Sequence, residues 1–155
     1  SFYFKDIHAH QAYRWIWESK ATTKIKVFGW FLLSDRLNTR DMLKRRHYNI
    51  GNAFGCLLCT NCNNETVEHL FLEFNFSLEC WDKLQIMGHS AHTRLDWVEK
   101  AKNSWNKQLF MEIFMLAAWS ILASWLARLK EDLSLLTHRV GDKHKPFLFS
   151  FHNSL

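Results

Sequence analysis

Cys56-Leu57-Leu58-Cys59, followed ten residues later by His69 in Glu65-Thr66-Val67-Glu68-His69-Leu70-Phe71-Leu72, is the stretch from which the rest of the chain is read. Two residues between the cysteines let the backbone curl so that both sulfurs meet one ion. A bound metal lowers the thiol pKa, so both cysteines bind as thiolates at neutral pH, and a neutral imidazole adds a third bond. Structural zinc takes four ligands. Three donors at this spacing therefore imply a metal centre and leave one position to be found.

Working outward, Thr66 is placed to cap a helix carrying Val67, His69, Leu70 and Phe71, which puts the histidine in a first turn beside the preceding loop. Ser77 is the expected start of the next helix, in which Leu78, Trp81 and Leu84 recur every three residues and Gly88 is the stop. A polar connector, His89 to Arg94, follows. Upstream, the apolar density of Ile25, Val27, Phe28, Trp30, Phe31, Leu32 and Leu33 predicts a largely buried helix from Lys24 to Leu37, with Thr22 or Thr23 as its cap. Asn38 or Thr39 then caps a shorter helix with Met42 and Leu43 inward and Arg40, Lys44 and Arg45 outward. Asn49 to Gly55 breaks the pattern and leads into the cysteine loop.

Leu109 to Ala127 holds Glu112 as its only charge, and its length invites comparison with a membrane span. Trp119, Ser120, Ser124 and Trp125 interrupt it, so a buried core helix is expected and no membrane. From Arg128 the pattern turns amphipathic, with Leu129, Leu133 and Leu136 on one face and Gly141 as a stop.

The 155 residues are 48% hydrophobic, with eight Trp and thirteen Phe, enough for a real core. Five Gly and one Pro provide too little turn material for an all-β fold, so the class is mainly α. The fold expected is a small helical zinc-binding module with a loop-borne metal site, residues 13–84, followed by a helical extension, residues 95–140. Residues 1–12 and 141–155 are expected to be flexible ends. Four cysteines confined to residues 56–80, without a leader pattern, argue for metal rather than disulfides and for an intracellular, reducing location, nucleus and cytoplasm being indistinguishable.

Charge is divided along the chain. Residues 14–47 balance to +6 and residues 56–82 to −5, within a net +5. A basic stretch beside a metal loop is the footprint of a polyanion-binding surface, with Lys20, Lys24, Lys26, Arg36, Arg40, Lys44, Arg45 and Arg46 as candidate phosphate contacts. Solvated, merely solubilising helix faces are the competing reading.

The order of several motifs then becomes specific. Ile16-Trp17-Glu18-Ser19-Lys20-Ala21, Lys24-Ile25-Lys26-Val27-Phe28-Gly29-Trp30-Phe31-Leu32-Leu33, Asp35-Arg36-Leu37-Asn38-Thr39-Arg40-Asp41, the Cys56–Cys59 turn, Glu65 to Leu72 and Cys80-Trp81 follow one another. Together they resemble the zinc-binding domain that follows the reverse transcriptase in plant non-LTR, LINE-type retroelements, over residues 13–84. The resemblance implies zinc bound by Cys56, Cys59 and His69. The family's last cysteine, five residues after the histidine, is replaced here by Phe74. Cys62, in a tight C-x2-C-x2-C arrangement, is the preferred substitute ligand over Cys80, which reads as a small core residue beside Trp81.

Two functions follow. One is a non-catalytic accessory domain that touches RNA or DNA beside a polymerase. The alternative is a degenerate structural or protein-interaction helical domain without metal, whose partner is a reverse transcriptase domain or another protein. No enzyme is expected: the Tyr-x-Asp-Asp signature of polymerisation and a G-x-x-x-x-G-K-[ST] phosphate loop are both absent, and Glu65 and Glu68 read as solvated helix-start acids.

Overall fold

The computed structural model describes residues 10–48, 56, 59, 64–86, 91, 93–105, 107–139 and 145–146. Among the described residues, six α-helices run in the order α1 (Gln11–Glu18), α2 (Thr23–Leu33), α3 (Arg40–Arg45), α4 (Asn75–Lys83), α5 (Arg94–Ser104) and α6 (Phe110–Arg139), with a π-helical turn at His69–Glu73 before α4. The class is mainly α, with no strand among the described residues.

Helix α6 is the centre of the molecule. Phe110, Met111, Phe114, Met115, Ala118 and Ile121 recur at three- and four-residue spacing and are buried. Against this stripe lie α2 and α4, while α1 packs on α2 and α5. The close approach of α2 depends on Gly29, where a Cβ would stand 2.5 Å from Met115 Sδ. A single hydrophobic core therefore joins the stretches expected as module and extension. The folded part also begins earlier than residue 13, because α1 starts at Gln11 and Ala12 is wholly buried.

Phe110–Ala127 is long and apolar enough to cross a membrane. In this fold its apolar face meets α2 and α4, and Glu112 accepts the Lys20 backbone N–H at 2.6 Å. That single charge secures the α1–α2 corner. The helix continues without a break past Arg128 to Arg139. Gly141 lies outside the described residues.

Three helices end by one device. After α2, Asp35 takes φ 56° and the Arg36 N–H reaches back to the Phe31 carbonyl at 2.8 Å. His47 after α3 (φ 60°) and Gln85 after α4 (φ 59°) do the same, with Tyr48 donating to Leu43 and Ile86 to Trp81. Such left-handed closures satisfy the last carbonyls and usually favour glycine. Here non-glycine residues adopt them, so α2 stops at Leu33 rather than Leu37, and α4 at Lys83. Gly88 lies outside the described residues. The freed Leu33 carbonyl accepts from Tyr13 Oη at 3.2 Å and Arg94 Nε at 2.8 Å.

Helix α3 starts as expected, Thr39 Oγ1 accepting from the Met42 N–H. Helix α4 starts at Asn75, not Ser77. Ser77 is instead fully buried two residues inside the helix, its hydroxyl donating to the Leu70 carbonyl. On the same helix Trp81 Nε1 donates to the Phe71 carbonyl at 2.7 Å. Its ring lies parallel to Phe114, centroids 5.5 Å apart, and meets Trp97 edge-on at 4.8 Å. Trp81→Phe loses that bond and the larger ring together. It is expected to lower unfolding stability by about 2–4 kcal/mol in urea denaturation followed by circular dichroism.

Candidate metal centre

Cys56, Cys59 and His69 come together: their ligand atoms lie within 4.8 Å of one another. Zinc bonds of about 2.0–2.3 Å imply ligand–ligand edges of roughly 3.5–4 Å, so one ion reaches all three after a small contraction. Cys56 and His69 are buried and Cys59 is half-buried. Cys59 and Cys80 are free thiols.

Local sequence places the histidine. Thr66 Oγ1 accepts the His69 N–H at 3.0 Å, the capping bond expected from its position. The turn then widens: the Phe74 N–H bonds the His69 carbonyl at 2.9 Å, five residues back rather than four. Within the ring, Nδ1 lies 3.2 Å from Glu73 Oε2, while buried Nε2 has no hydrogen-bond partner. An unsatisfied buried nitrogen costs on the order of 1–3 kcal/mol. With the His69 ring brought near two cysteine sulfurs, that nitrogen is a candidate ligand atom, and the set of two sulfurs and one imidazole suits zinc.

Phe74 brings no ligand atom. Its ring meets the His69 ring at 6.4 Å and lines a small apolar pocket with Leu70, Phe71, Ile121 and Trp125. Cys80 is not drawn into the donor group; it faces a groove between α4 and α6, where burial pushes its thiol pKa up. Cys62 lies outside the described residues.

The two acids read as solvated are both structural, and sequence reasoning missed them. Glu65 is buried against the start of α3, where Oε1 accepts the Arg40 N–H and its carbonyl accepts the Asp41 N–H, each at 3.2 Å. Glu68 binds Arg94 Nη1 at 2.6 Å, and Arg94 in turn holds the end of α2. The histidine turn is thus fastened to α2, α3 and α5. Only the partners, 25 or more residues away, distinguish such acids from solvated ones.

The basic residues divide. Arg40 Nε sits 4.0 Å from Glu65, and Arg45 forks between Asp35 at 2.6 Å and Asp41 at 2.8 Å. On α2, Lys24 lies over the Trp119 ring at 4.6 Å and Lys26 donates to the Trp17 carbonyl at 3.0 Å. Arg36, just beyond, covers Trp30 at 5.1 Å. Lys20, Lys44 and Arg46 are exposed.

The family described as zinc-binding in reverse transcriptase matches residues 1–81. The chain belongs to that family. Comparisons with curated proteins and with solved structures return no match. The matched region ends at Trp81, so α5 and α6 lie beyond it although they share its core.

Burial raises the Glu65 pKa above 4.5, outweighing the Arg40 N–H and guanidinium that pull it down. A carboxyl with a raised folded-state value favours folding fully below its unfolded value and loses that contribution as pH rises through the folded one. Glu65→Gln keeps the Oε1 acceptor without the charge. Metal-free denaturation at pH 4.5 and pH 7 is expected to show the variant gaining stability relative to wild type as pH rises; parallel profiles would contradict this assignment.

Proposed function

We propose that this chain is a non-catalytic, zinc-stabilised accessory domain derived from the reverse transcriptase of a plant LINE-type retroelement, and that it binds RNA or DNA through its basic surface. The observation that carries the metal part is the convergence of Cys56, Cys59 and His69, whose buried Nε2 has no hydrogen-bond partner. The retroelement origin rests on the ordered motifs of residues 13–84. A reducing intracellular location agrees with the thiols that a metal centre needs.

The nucleic-acid reading is supported by cations set over aromatic rings, Lys24 over Trp119 and Arg36 over Trp30, with Lys26 nearby on the Trp17 carbonyl. Trp17 and Phe31 are exposed. Positive charge that tracks phosphates, with aromatic faces that stack bases, suits a single strand. Arg40 and Arg45, engaged with acids, contribute less to this surface than Lys20, Lys24, Lys26, Arg36 and Arg46.

A protein-interaction role is favoured by one further feature, the apolar groove of about 500 Å³ between α4 and α6, with Leu84 and Leu116 exposed at it. A reverse transcriptase domain or another protein is the partner class for that reading. A chain that aggregates alone and becomes soluble with a polymerase domain, while ignoring RNA, would favour it over the first.

Metal content and chelator response test the zinc. Structural zinc supplies on the order of 10 kcal/mol in small modules, so wild type should carry one equivalent and melt markedly lower with chelator, while Cys59→Ser should carry none and be insensitive. Metal-free wild type with unchanged melting rejects the metal. For nucleic acid, affinity for single-stranded RNA is expected to fall steeply with salt, and Lys24→Gln with Lys26→Gln should reduce the logarithmic salt slope by about 2. Salt-independent affinity would reject the basic surface.

A further inference from the structure

We propose that Glu73 is the positioning residue of the metal centre: its carboxylate holds the Nδ1 hydrogen of His69, so that the imidazole presents Nε2 as the metal-binding lone pair. The inference rests on reading Cys56, Cys59 and His69 as a metal centre, and it adds the group that orients the imidazole.

The two edges of the ring have opposite surroundings. The His69 side chain is 5% exposed and that of Glu73 is 61% exposed, so the contact between them sits at the rim. Nδ1 meets Glu73 Oε2 there at 3.2 Å, while Nε2 is buried and unpartnered. A carboxylate only accepts, so the neutral ring places its hydrogen on Nδ1 and leaves Nε2 bare. That is the tautomer an Nε2-bound metal requires, and a carboxylate behind the ring raises the basicity of the ligating nitrogen.

The backbone supplies the geometry. In the π-helical turn His69–Glu73, the five-residue bond from Phe74 to His69 widens the coil, bringing residues four apart closer to vertical register than an α-helix does. Glu65 and Glu68, the nearest other described acids in the chain, are committed to α3 and Arg94. Neither makes a hydrogen bond to the imidazole. Sequence alone gives no sign of this pairing, because Glu73 reads as one more acid in a segment of balance −5.

The test uses the full chain as wild type, Glu73→Gln and Glu73→Ala. Cobalt(II) titration, read by thiolate charge-transfer and d–d absorbance, followed by zinc competition, ranks affinity; long-range nitrogen NMR of His69 reports the tautomer and the ligating nitrogen. Glu73→Ala is expected to weaken metal binding about tenfold or more, the usual effect of losing such a carboxylate. Glu73→Gln, whose amide oxygen still accepts from Nδ1, should recover most of that loss. All three chains should melt alike without metal, and the metal should sit on Nε2. Equal affinity of Glu73→Ala and wild type, or metal on Nδ1, overturns the proposal, as does a metal-free melting loss that accounts for the whole effect. A wild-type chain that takes up neither cobalt nor zinc overturns the metal centre itself and this inference with it, an outcome distinct from a metal-binding wild type matched by the alanine variant.

Discussion

The buried indole of Trp81 is the contact on which the rest of the structure depends. Its N–H holds the Phe71 carbonyl of the histidine turn, and its ring meets both Trp97 of α5 and Phe114 of α6, which also touch each other. One side chain thus joins the histidine turn to both helices beyond the family match. A large aromatic ring contributes through its area, through offset and edge-on ring pairing, and through one polar atom that must find a partner when buried. Here that partner is a carbonyl of the turn itself, so the direction of the bond sets how the turn meets α4.

Further ties fix the turn from other sides. Ser77 holds the Leu70 carbonyl, Glu65 sits on the start of α3, and the Glu68–Arg94–Leu33 chain reaches the end of α2. The His69 backbone is therefore placed by contacts that involve no metal. A metal acting on such a frame adds the bond that buried Nε2 lacks. Phe74, five residues past His69, brings no ligand atom and lines an apolar pocket with Phe71, Ile121 and Trp125, so the turn's exit is held by apolar surroundings.

Much of the architecture was legible in residue spacing. The apolar stripe of α2, the caps Thr39 and Thr66, and the convergence of Cys56, Cys59 and His69 all follow from local patterns. Helix ends were less legible, because Asp35, His47 and Gln85 adopt left-handed closures without glycine. Ser77 misled for a related reason. Its residue type suggests a cap, whereas its hydroxyl is spent on a carbonyl seven residues back that only the folded turn presents. Glu65 and Arg40 looked like solvent-facing charges because their pairing spans 25 residues.

The sequence by itself determined the helical class, the three candidate donors that the fold brings together and the family to which they belong, since each depends on side chains spaced within one turn or one loop. Tertiary structure decided that α6 is the shared core rather than an appendage, that Arg40 and Arg45 are engaged with acids while Lys24 lies over Trp119 and Lys26 on the Trp17 carbonyl, and that Glu73 meets the Nδ1 edge of the imidazole. The reason is range. Spacing encodes what neighbours along the chain can do, but burial, charge pairing and the tautomer of a histidine depend on groups that meet only when distant helices pack.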